Sequence, residues 1–319
     1  NCDWSSDVCS SDLGARIRAA RADRGDRAGG CPLRLAHAND AGIGNLLPDH
    51  RLLHPAWIGR SYPRPAPSLG SDAGVVMTGT ILTLNHVTKR FGGLVAVDGM
   101  TFNVQRGTIQ GLIGPNGSGK STTLNLMSGA LRLSEGEIIL GNQKISGRSA
   151  HSIAKLGIAR TFQLVRLLPS LTVAENIRVG GLYGHVRHSG KDADRAVESI
   201  LERVGLGGKG RMMPGQLTYI DTKRVELGRA LIAQPRVLLL DEWLAGLNPT
   251  ELEDGIELIR SLRDECEAIV IVEHVMEAIR SLCDSCVVMA SGAKIAEGSV
   301  QEVLSAPQVI EAYLGGDDD

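Results

Sequence analysis

The chain has 319 residues, of which 43% are hydrophobic and 22% charged, as in an ordinary globular protein. Its 34 lysines and arginines and 36 aspartates and glutamates give a formal net charge of −2, which does not indicate nucleic acid as a partner. No apolar run approaches the roughly 18 residues that a membrane-spanning helix needs. Runs such as 237–240 and 268–272 have the length of strands, so we expect any role at a membrane to depend on a partner.

The first 76 residues do not read as part of a folded domain. Residues 3–13, DWSSDVCSSDL, are encoded in one frame by a DNA string that resembles a common short-read sequencing adapter. Residues 14–76 have no sustained apolar period, and no apolar segment follows their arginines, which disfavours a signal peptide. We interpret residues 1–76 as non-native sequence, with a disordered extension or a targeting segment as alternatives. The chain from Met77 onward has the length of one α/β domain.

Six cysteines are present, three of them within the first 76 residues. Cys283 and Cys286 form a single CxxC, which without a second pair is a weak indication of a zinc or redox site. We expect these two and Cys266 to be reduced structural thiols of a cytosolic protein.

Three predicted strands precede a glycine-rich loop. Residues 80–91 alternate in polarity and end on an aromatic residue, and residues 100–104 form a second strand. Gly107 then turns into a third strand over 108–114. Residues 124–131, beyond the loop, favour a helix. This order of strand, glycine-rich loop and helix is the context in which a phosphate-binding loop is credible.

The loop itself, GPNGSGKST, matches the pattern G-x-x-x-x-G-K-[ST]. Its backbone amides, unobstructed by Cβ atoms at the glycines, suit phosphate oxygens, and Lys120 suits the β- and γ-phosphates of ATP. Ser121 is expected to ligate Mg²⁺, and Thr122 to begin a helix whose positive end faces the phosphates. A chance glycine-rich turn is the alternative. The predicted nucleotide-binding residues of the loop are Gly114, Asn116, Gly117, Ser118, Gly119, Lys120, Ser121 and Thr122.

Two later apolar runs end in residues suited to catalysis. The run 237–240 leads into Asp241, which can hold Mg²⁺ through water, and Glu242, which can orient or deprotonate the attacking water. The run 268–272 leads to His274, whose neutral imidazole can hydrogen-bond the γ-phosphate or the water. The alternatives are an acidic pair that caps the next helix and a structural histidine.

Together these motifs resemble an ABC-transporter ATPase subunit over roughly residues 79–315. The phosphate loop, RTFQ at 160–163, LTYIDTKR at 217–224, LLLDE and His274 follow the order and approximate spacing of that family. The stretches RFGGLVAVDGM, ARTFQLVRLLPSLTVAENI, AGLNPTE and VIEAYLGG resemble in particular the ATPase subunits of branched-chain amino-acid-type importers.

The resemblance implies a fold and a domain organisation. The expected fold is α/β, a P-loop NTPase core of the ABC ATPase type with an antiparallel β subdomain and a helical subdomain. The ABC ATPase domain would span 77–315, with the helical subdomain at about 165–232 and an acidic tail at 316–319. Within that subdomain, residues 192–206 form the clearest amphipathic helix.

The resemblance also assigns roles to further residues. Phe91 would stack on adenine. Gln163 would contact Mg²⁺ or water and sense a membrane partner, whose cytoplasmic helix would lie against residues 164–177. Asn248 would lie in the segment that contacts the other subunit of a dimer. In all, the predicted catalytic residues are Glu242, His274 and Gln163, and the predicted metal-binding residues are Ser121, Gln163 and Asp241.

The stretch LTYIDTKR departs from its family. Asp221 is the expected N-cap of a helix there. In the family this position carries a serine, then glycines and a glutamine, and faces the γ-phosphate bound by the opposite subunit. Ile220 replaces a glycine and would block close backbone approach, and Asp221 would repel phosphate or cap the helix. Trp243 replaces a proline, without loss of a catalytic group. The predicted trans signature comprises Leu217, Thr218, Tyr219, Ile220 and Asp221.

One phosphate loop per chain implies that two chains build two composite ATP sites. We expect a second ATPase subunit, a different chain, together with membrane permease subunits and, indirectly, a solute-binding protein. The subunit would lie peripherally on the cytoplasmic face of the cell membrane, with unequal composite sites. The alternatives are a regulatory nucleotide-binding subunit with a degenerate trans site and a soluble ABC ATPase. The latter class usually has two nucleotide domains or a long coiled-coil insertion, and neither is present.

Overall fold

The computed structural model describes residues 79–163 and 165–314. The predicted non-native segment 1–76 and the acidic tail 316–319 lie outside the described residues. The strands described are β1 Thr80–Phe91, β2 Leu94–Gln105, β3 Ile109–Ile113, β4 Glu135–Leu140, β5 Gln143–Lys144, β6 Ile158–Arg160, β7 Val237–Asp241, β8 Ala268–Val272, β9 Ser285–Ala290 and β10 Ala293–Gly298. The α-helices described are α1 Lys120–Met127, α2 Ala150–Lys155, α3 Val173–Tyr183, α4 Gly190–Arg203, α5 Tyr219–Leu231, α6 Pro249–Ser261, α7 Met276–Leu282, α8 Val300–Leu304 and α9 Pro307–Leu314.

The smaller sheet is antiparallel, with the strand order β2-β1-β4-β5. Strand β1 agrees with the predicted strand at 80–91. Strand β2 begins well before the predicted 100–104, because Leu94 pairs with Phe91 across a two-residue glycine turn. Leu82 and Leu84, two residues apart on β1, are fully buried, as the alternating pattern requires.

The larger sheet has the order β10-β9-β3-β8-β7-β6 and is parallel except for β10. Strands β3, β7 and β8 are buried at every position, which explains their uninterrupted apolar sequences. Asp241 of β7 lies in register with Val272 of β8. The loops that follow β3, β7 and β8 therefore emerge at one edge of the sheet, where parallel sheets place their ligand sites.

Helices α3, α4 and α5 pack against one another. Ala193, Val197 and Leu201 form the buried stripe of α4, which confirms the amphipathic helix predicted there. The backbones of α3 and α5 approach closely, since a Cβ on Gly180 would lie 2.0 Å from the carbonyl oxygen of Arg229.

Two predicted helix boundaries are wrong. Helix α1 begins at Lys120 rather than Thr122, because Gly119 takes the left-handed conformation as its N-cap. Helix α5 begins at Tyr219 with Thr218, not Asp221, as its N-cap, and the Thr218 side chain accepts a hydrogen bond from the amide of Asp221. None of the helices in the described part of the chain has both the length and the apolar character needed to cross a bilayer.

Candidate active site

The glycine-rich loop joins β3 to α1 and is closed to larger residues at two points. A Cβ on Gly114 would lie 2.1 Å from the carbonyl oxygen of Met289, and one on Gly119 would lie 2.5 Å from that of Ala96. Both glycines also have positive φ angles, 148° and 102°. The loop can therefore keep its shape only with glycine at these positions.

Two polar side chains of the loop lack an external partner. The Ser118 hydroxyl is buried and forms no hydrogen bond with any described residue. The Lys120 ammonium is also buried, and among the described residues it donates only to the loop's own carbonyls, at 2.8 Å to Gly114 and 2.7 Å to Pro115. Burial lowers the pKa of Lys120, although Glu242 and Asp241 act in the opposite direction. A buried cation and an unpaired hydroxyl within a glycine-rich loop fit a phosphate ligand.

The hydroxyl and the carboxylate predicted to bind Mg²⁺ face each other. The Ser121 Oγ lies 3.5 Å from Asp241 Oδ1, and Asp241 is almost completely buried at the end of β7. Burial raises the pKa of Asp241, whereas the neighbouring Arg160 lowers it. These oxygen atoms are of the type that Mg²⁺ prefers.

Arg160, the first residue of RTFQ, has contacts that the sequence pattern does not indicate. Its Nη2 pairs with Asp241 Oδ2 at 2.9 Å, and both side chains are buried. Its Nη1 donates to Asn125 Oδ1 and Ser128 Oγ of α1, at 2.7 and 3.2 Å. The guanidinium also lies 4.7 Å from the ring centroid of Phe162. Arg160 therefore joins the metal-binding carboxylate to the helix that follows the phosphate loop.

Gln163 and Glu242, both predicted to be catalytic, are in direct contact. Gln163 Nε2 donates to Glu242 Oε2 at 2.7 Å. Glu242 has a φ of 48°, which is uncommon for a residue other than glycine. Its amide is fixed by a 2.8 Å hydrogen bond to the carbonyl of Val272. The carboxylate is thus carried by a constrained backbone at the sheet edge.

His274 and Phe91 are both exposed. His274 follows β8 and is preceded by Glu273, whose buried Oε1 accepts a 2.6 Å hydrogen bond from the amide of Leu244. Burial raises the pKa of Glu273 to about 7. Phe91 ends β1, and the Lys89 ammonium lies 4.8 Å from its ring centroid. An exposed aromatic ring at this position is free to stack on a planar ligand.

Several side chains of the predicted trans signature do not lie where the sequence predicts. Ile220 is only 8% exposed and packs in the core, so its side chain does not obstruct the N-terminus of α5 as predicted. The Asp221 carboxylate is buried and pairs with Lys209 at 2.7 Å, so its charge is compensated and it is not the helix cap. Tyr219, 55% exposed, is the large side chain that does face outward. The Thr218 hydroxyl stays at the helix N-terminus.

The segment predicted to contact a membrane partner, 164–177, is described from residue 165 onward. Asn176 organises it: its side-chain oxygen accepts from the amide of Leu168, and its side-chain nitrogen donates to the carbonyls of Leu168, Leu171 and Thr172. A groove of about 250 Å³ lies nearby between β6, α3 and α5. Exposed Phe162 and Tyr183 are among its lining residues.

The three described cysteines are free thiols; Cys266 and Cys286 are buried and Cys283 is partly buried. Burial raises the pKa of Cys266 to about 12, and a hydrogen bond with Cys286, together with burial, raises the pKa of Cys283. Such thiols are poorly reactive. Among the described residues no group of three or more His, Cys, Asp and Glu side chains is arranged to hold a metal ion.

Comparison with known proteins extends the resemblance. A family model described as ABC transporter matches residues 97–245, and one described as branched-chain amino acid ATP-binding cassette transporter matches residues 293–319. The chain is 37% identical over 253 residues to the high-affinity branched-chain amino acid transport ATP-binding protein BraF of Pseudomonas aeruginosa, an alignment that covers 75% of this chain and 99% of BraF. It is 36% identical over 254 residues to LivG of Escherichia coli K12, which has the same description, with the same coverage.

Solved structures show the same fold. A crystal structure of an ATP-binding cassette of an ABC transporter in its ADP conformation matches with a TM-score of 0.69 and 32% identity, over 75% of this chain and all of that one. A dimeric ATP-binding cassette in a post-hydrolysis state with ADP and Pi matches with a TM-score of 0.63 and 25% identity, over 69% of this chain and 99% of that one. The predicted fold, a P-loop NTPase core with an antiparallel β subdomain and a helical subdomain, is confirmed. The chain belongs to the ATP-binding subunits of ABC transporters and is an ABC ATPase.

Proposed function

We propose that this ATPase powers an importer of branched-chain amino acids or a related small polar solute. The observation that carries the proposal is the alignment with BraF and LivG, which runs over 99% of their length and which the family match at 293–319 supports. Solute choice usually depends on the membrane and binding-protein subunits, so this chain contributes the energy and not the selectivity.

Within one chain, the predicted site residues would together form the cis half-site. Lys120 would neutralise the β- and γ-phosphates, and the amides of the loop Gly114–Thr122 would hold their oxygens. Ser121 and Asp241 would hold Mg²⁺, which screens the phosphate charge when bound. Phe91 would stack on adenine.

The remaining cis residues would act on the attacking water. Glu242 would orient and deprotonate it, while the Gln163 amide holds the Glu242 carboxylate in place and can contact water or Mg²⁺ itself. His274, exposed beside the same sheet edge, would donate to the γ-phosphate. These roles rest on the placement of all three groups at the ends of neighbouring strands.

A second ATPase subunit, a different chain, would complete each site. The α5 N-terminus, with the Thr218 hydroxyl and the backbone amides of the first turn, is the anion-binding element that this chain would offer to the nucleotide of its partner. The exposed Asn248, which caps α6, lies in the loop expected at the same interface. The regulatory alternative drew on Ile220, and it loses that support because this side chain is buried.

The permease subunits would dock near the groove at Phe162 and Tyr183. The rings of Phe162 and Tyr183 are exposed. Glu226 also lines the groove, and its Oε1 accepts a 3.1 Å hydrogen bond from the amide of Phe162. A helix seated there would act on Gln163, the next residue, and so on Glu242. This arrangement would hold the subunit peripherally at the cytoplasmic face of the cell membrane, with a solute-binding protein as an indirect partner on the other side.

The substrate proposal is tested by co-expression with the permease subunits and binding protein of a branched-chain amino acid importer from the same genome. Reconstituted in vesicles, the complex should hydrolyse ATP faster when leucine-, isoleucine- or valine-loaded binding protein is added, and the Glu242→Gln complex should not respond. Stimulation by an unrelated solute alone would contradict the amino-acid proposal and leave the ATPase assignment intact.

A further inference from the structure

Lys223, in the second turn of α5, has an unusual environment for a lysine. It is only 2% exposed, and its ammonium donates to three backbone carbonyls: Glu242 at 3.3 Å, Trp243 at 2.8 Å and Ala245 at 2.8 Å. An ammonium has three donors, and all three are used on the segment that directly follows the catalytic strand β7. A buried charge is costly unless it is bonded in this way.

The segment 242–246 also donates a hydrogen bond back to α5. The indole Nε1 of Trp243 donates to the carbonyl of Lys223 at 3.1 Å, and Trp243 is itself only 2% exposed. Further along, Gly246 faces Tyr219, because a Cβ there would lie 3.5 Å from the tyrosine ring. The first two turns of α5 and the segment 242–246 thus form one interlocked unit.

The other side of the segment is held by Glu273. Its Oε1 accepts from the amide of Leu244 at 2.6 Å, and Glu273 immediately precedes His274. The segment after Glu242 is therefore fixed by a donor from α5 and by an acceptor from the end of β8. A displacement of α5 would be transmitted to this segment chiefly through the 2.8 Å bonds from Lys223 to the carbonyls of Trp243 and Ala245, because the carbonyl of Glu242 also accepts from the amide of Ala245 at 3.2 Å.

We propose that Lys223 is a positioning residue that couples the two composite ATP sites of the dimer. In the arrangement put forward under Proposed function, on which this inference rests, Thr218 at the start of α5 faces the nucleotide of the partner subunit. Lys223, little more than one turn along the same helix, holds the backbone of Glu242, which serves the nucleotide of its own subunit. Contact with one nucleotide thereby sets the position of the carboxylate that hydrolyses the other.

The first test compares Lys223→Met and Lys223→Arg in the full chain. We expect Lys223→Met to lower kcat by about tenfold or more, while the affinity for a fluorescent ADP analogue stays within about twofold, because the phosphate loop is untouched. Lys223→Arg should recover most of kcat, since it restores a multiple donor. Lys144→Met is the control: it removes a lysine whose exposed ion pair with Glu137 lies in the smaller sheet and does not involve α5 or the segment 242–246, and kcat should stay near the parental value.

The second test detects the coupling itself. The chain has three tryptophans, so Trp4→Phe and Trp57→Phe leave Trp243 as the sole emitter. This reporter chain also carries Lys120→Ala, so that it cannot bind ATP, and is assembled with the second ATPase subunit, whose own tryptophans are replaced by phenylalanine. ATP should change the Trp243 emission in the mixed dimer, and Thr218→Ala or Lys223→Met in the reporter chain should abolish that change.

The results distinguish failure of the proposed ATPase function from failure of the role assigned to Lys223. A parental chain without any ATP hydrolysis, alone or in its complex, would overturn the proposed function. A parental chain that hydrolyses ATP, with Lys223→Met within about twofold of it in kcat, would overturn only the role of Lys223. If Lys223→Met does not fold, Trp243→Phe in an otherwise native chain removes the single indole hydrogen bond, and an unchanged kcat there would overturn the proposal.

Discussion

Gln163 donates a 2.7 Å hydrogen bond from Nε2 to Oε2 of Glu242, across a sequence separation of 79 residues. The residue at the start of the segment expected to meet the permease therefore holds the carboxylate expected to activate water. A neutral amide donor orients the carboxylate without fixing it as firmly as an ion pair would. Movement of Gln163 would therefore shift the Glu242 carboxylate relative to the attacking water.

Replacement of Gln163 tests this contact. Gln163→Ala should lower kcat about tenfold with little change in nucleotide affinity, because only the orientation of Glu242 is lost. Gln163→Glu should place a like charge beside Glu242, displace its carboxylate and lower kcat at least as far. Gln301→Ala, an exposed glutamine distant from the site, is the control. Steady-state hydrolysis by the three variants measures the effect, and a parental kcat in Gln163→Glu would show that this contact is absent in the working enzyme.

We expect Arg160 to affect both the free energy of unfolding and the affinity of the site for Mg²⁺. Arg160→Met leaves Asp241 buried without its partner and should cost about 3–5 kcal/mol in the free energy of unfolding. It should also reduce the Mg²⁺ concentration needed for half-maximal nucleotide binding, because a competing cation is gone from the Asp241 carboxylate.

Urea unfolding and a nucleotide titration at graded Mg²⁺ measure the two effects. The control is Arg195→Met, which breaks an ion pair that is more than three-quarters exposed and should cost less than about 1 kcal/mol. An Arg160→Met chain with the Mg²⁺ dependence of the parent would contradict the competition between Arg160 and Mg²⁺.

Two buried glutamates give the stability a pH dependence. Burial raises the pKa of Glu226 and of Glu273 to about 7 in the folded chain. A carboxyl group whose pKa is raised on folding binds its proton more tightly in the native state, so its stabilising effect is present at low pH and is lost as pH rises through about 7. Their contribution should therefore fall between about pH 4.5 and 7. Glu226→Gln, which stays neutral, should flatten this part of a urea-unfolding series, and an unchanged slope would contradict the assignment.

Ile220 is a core residue and not a defect of the trans element. Ile220→Gly should therefore cost about 3–5 kcal/mol in the free energy of unfolding and should not accelerate ATP hydrolysis. Ile310→Gly, the same change at a half-exposed helical site, should cost only about 1 kcal/mol. Thermal unfolding and steady-state hydrolysis measure both. Faster hydrolysis by Ile220→Gly would restore the original prediction that isoleucine obstructs the γ-phosphate.

Local sequence patterns were sufficient to predict the sheet edge that carries the site. The apolar runs of β7 and β8 are buried on both faces, so they predicted parallel strands, and the residues that follow, Asp241 and His274, could be placed from that alone. The phosphate loop was equally readable, because glycine spacing and the adjoining strand and helix occur together in one short segment.

Side chains whose partners lie far along the chain were not readable. Arg160 meets Asp241 across 81 residues, and no periodicity marks such a pair. The start of α5 was misassigned because Thr218 and Asp221 are both good N-cap residues, and only the backbone geometry chooses between them. A lysine in a helix is usually exposed, so the sequence does not indicate that Lys223 is buried. Its burial follows from the fold of the segment after Glu242.

In the proposed mechanism Lys120 binds the nucleotide and Glu242 activates the water that hydrolyses it. The most direct measurement is ATP binding and steady-state hydrolysis by the full chain with Glu242→Gln, compared with Lys120→Ala. Glu242→Gln should bind MgATP with near-parental affinity while hydrolysis falls by at least about a hundredfold, because the amide keeps the shape but loses the base; Lys120→Ala should lose the binding itself. Hydrolysis by Glu242→Gln at the parental rate would show that Glu242 is not the base that activates the water.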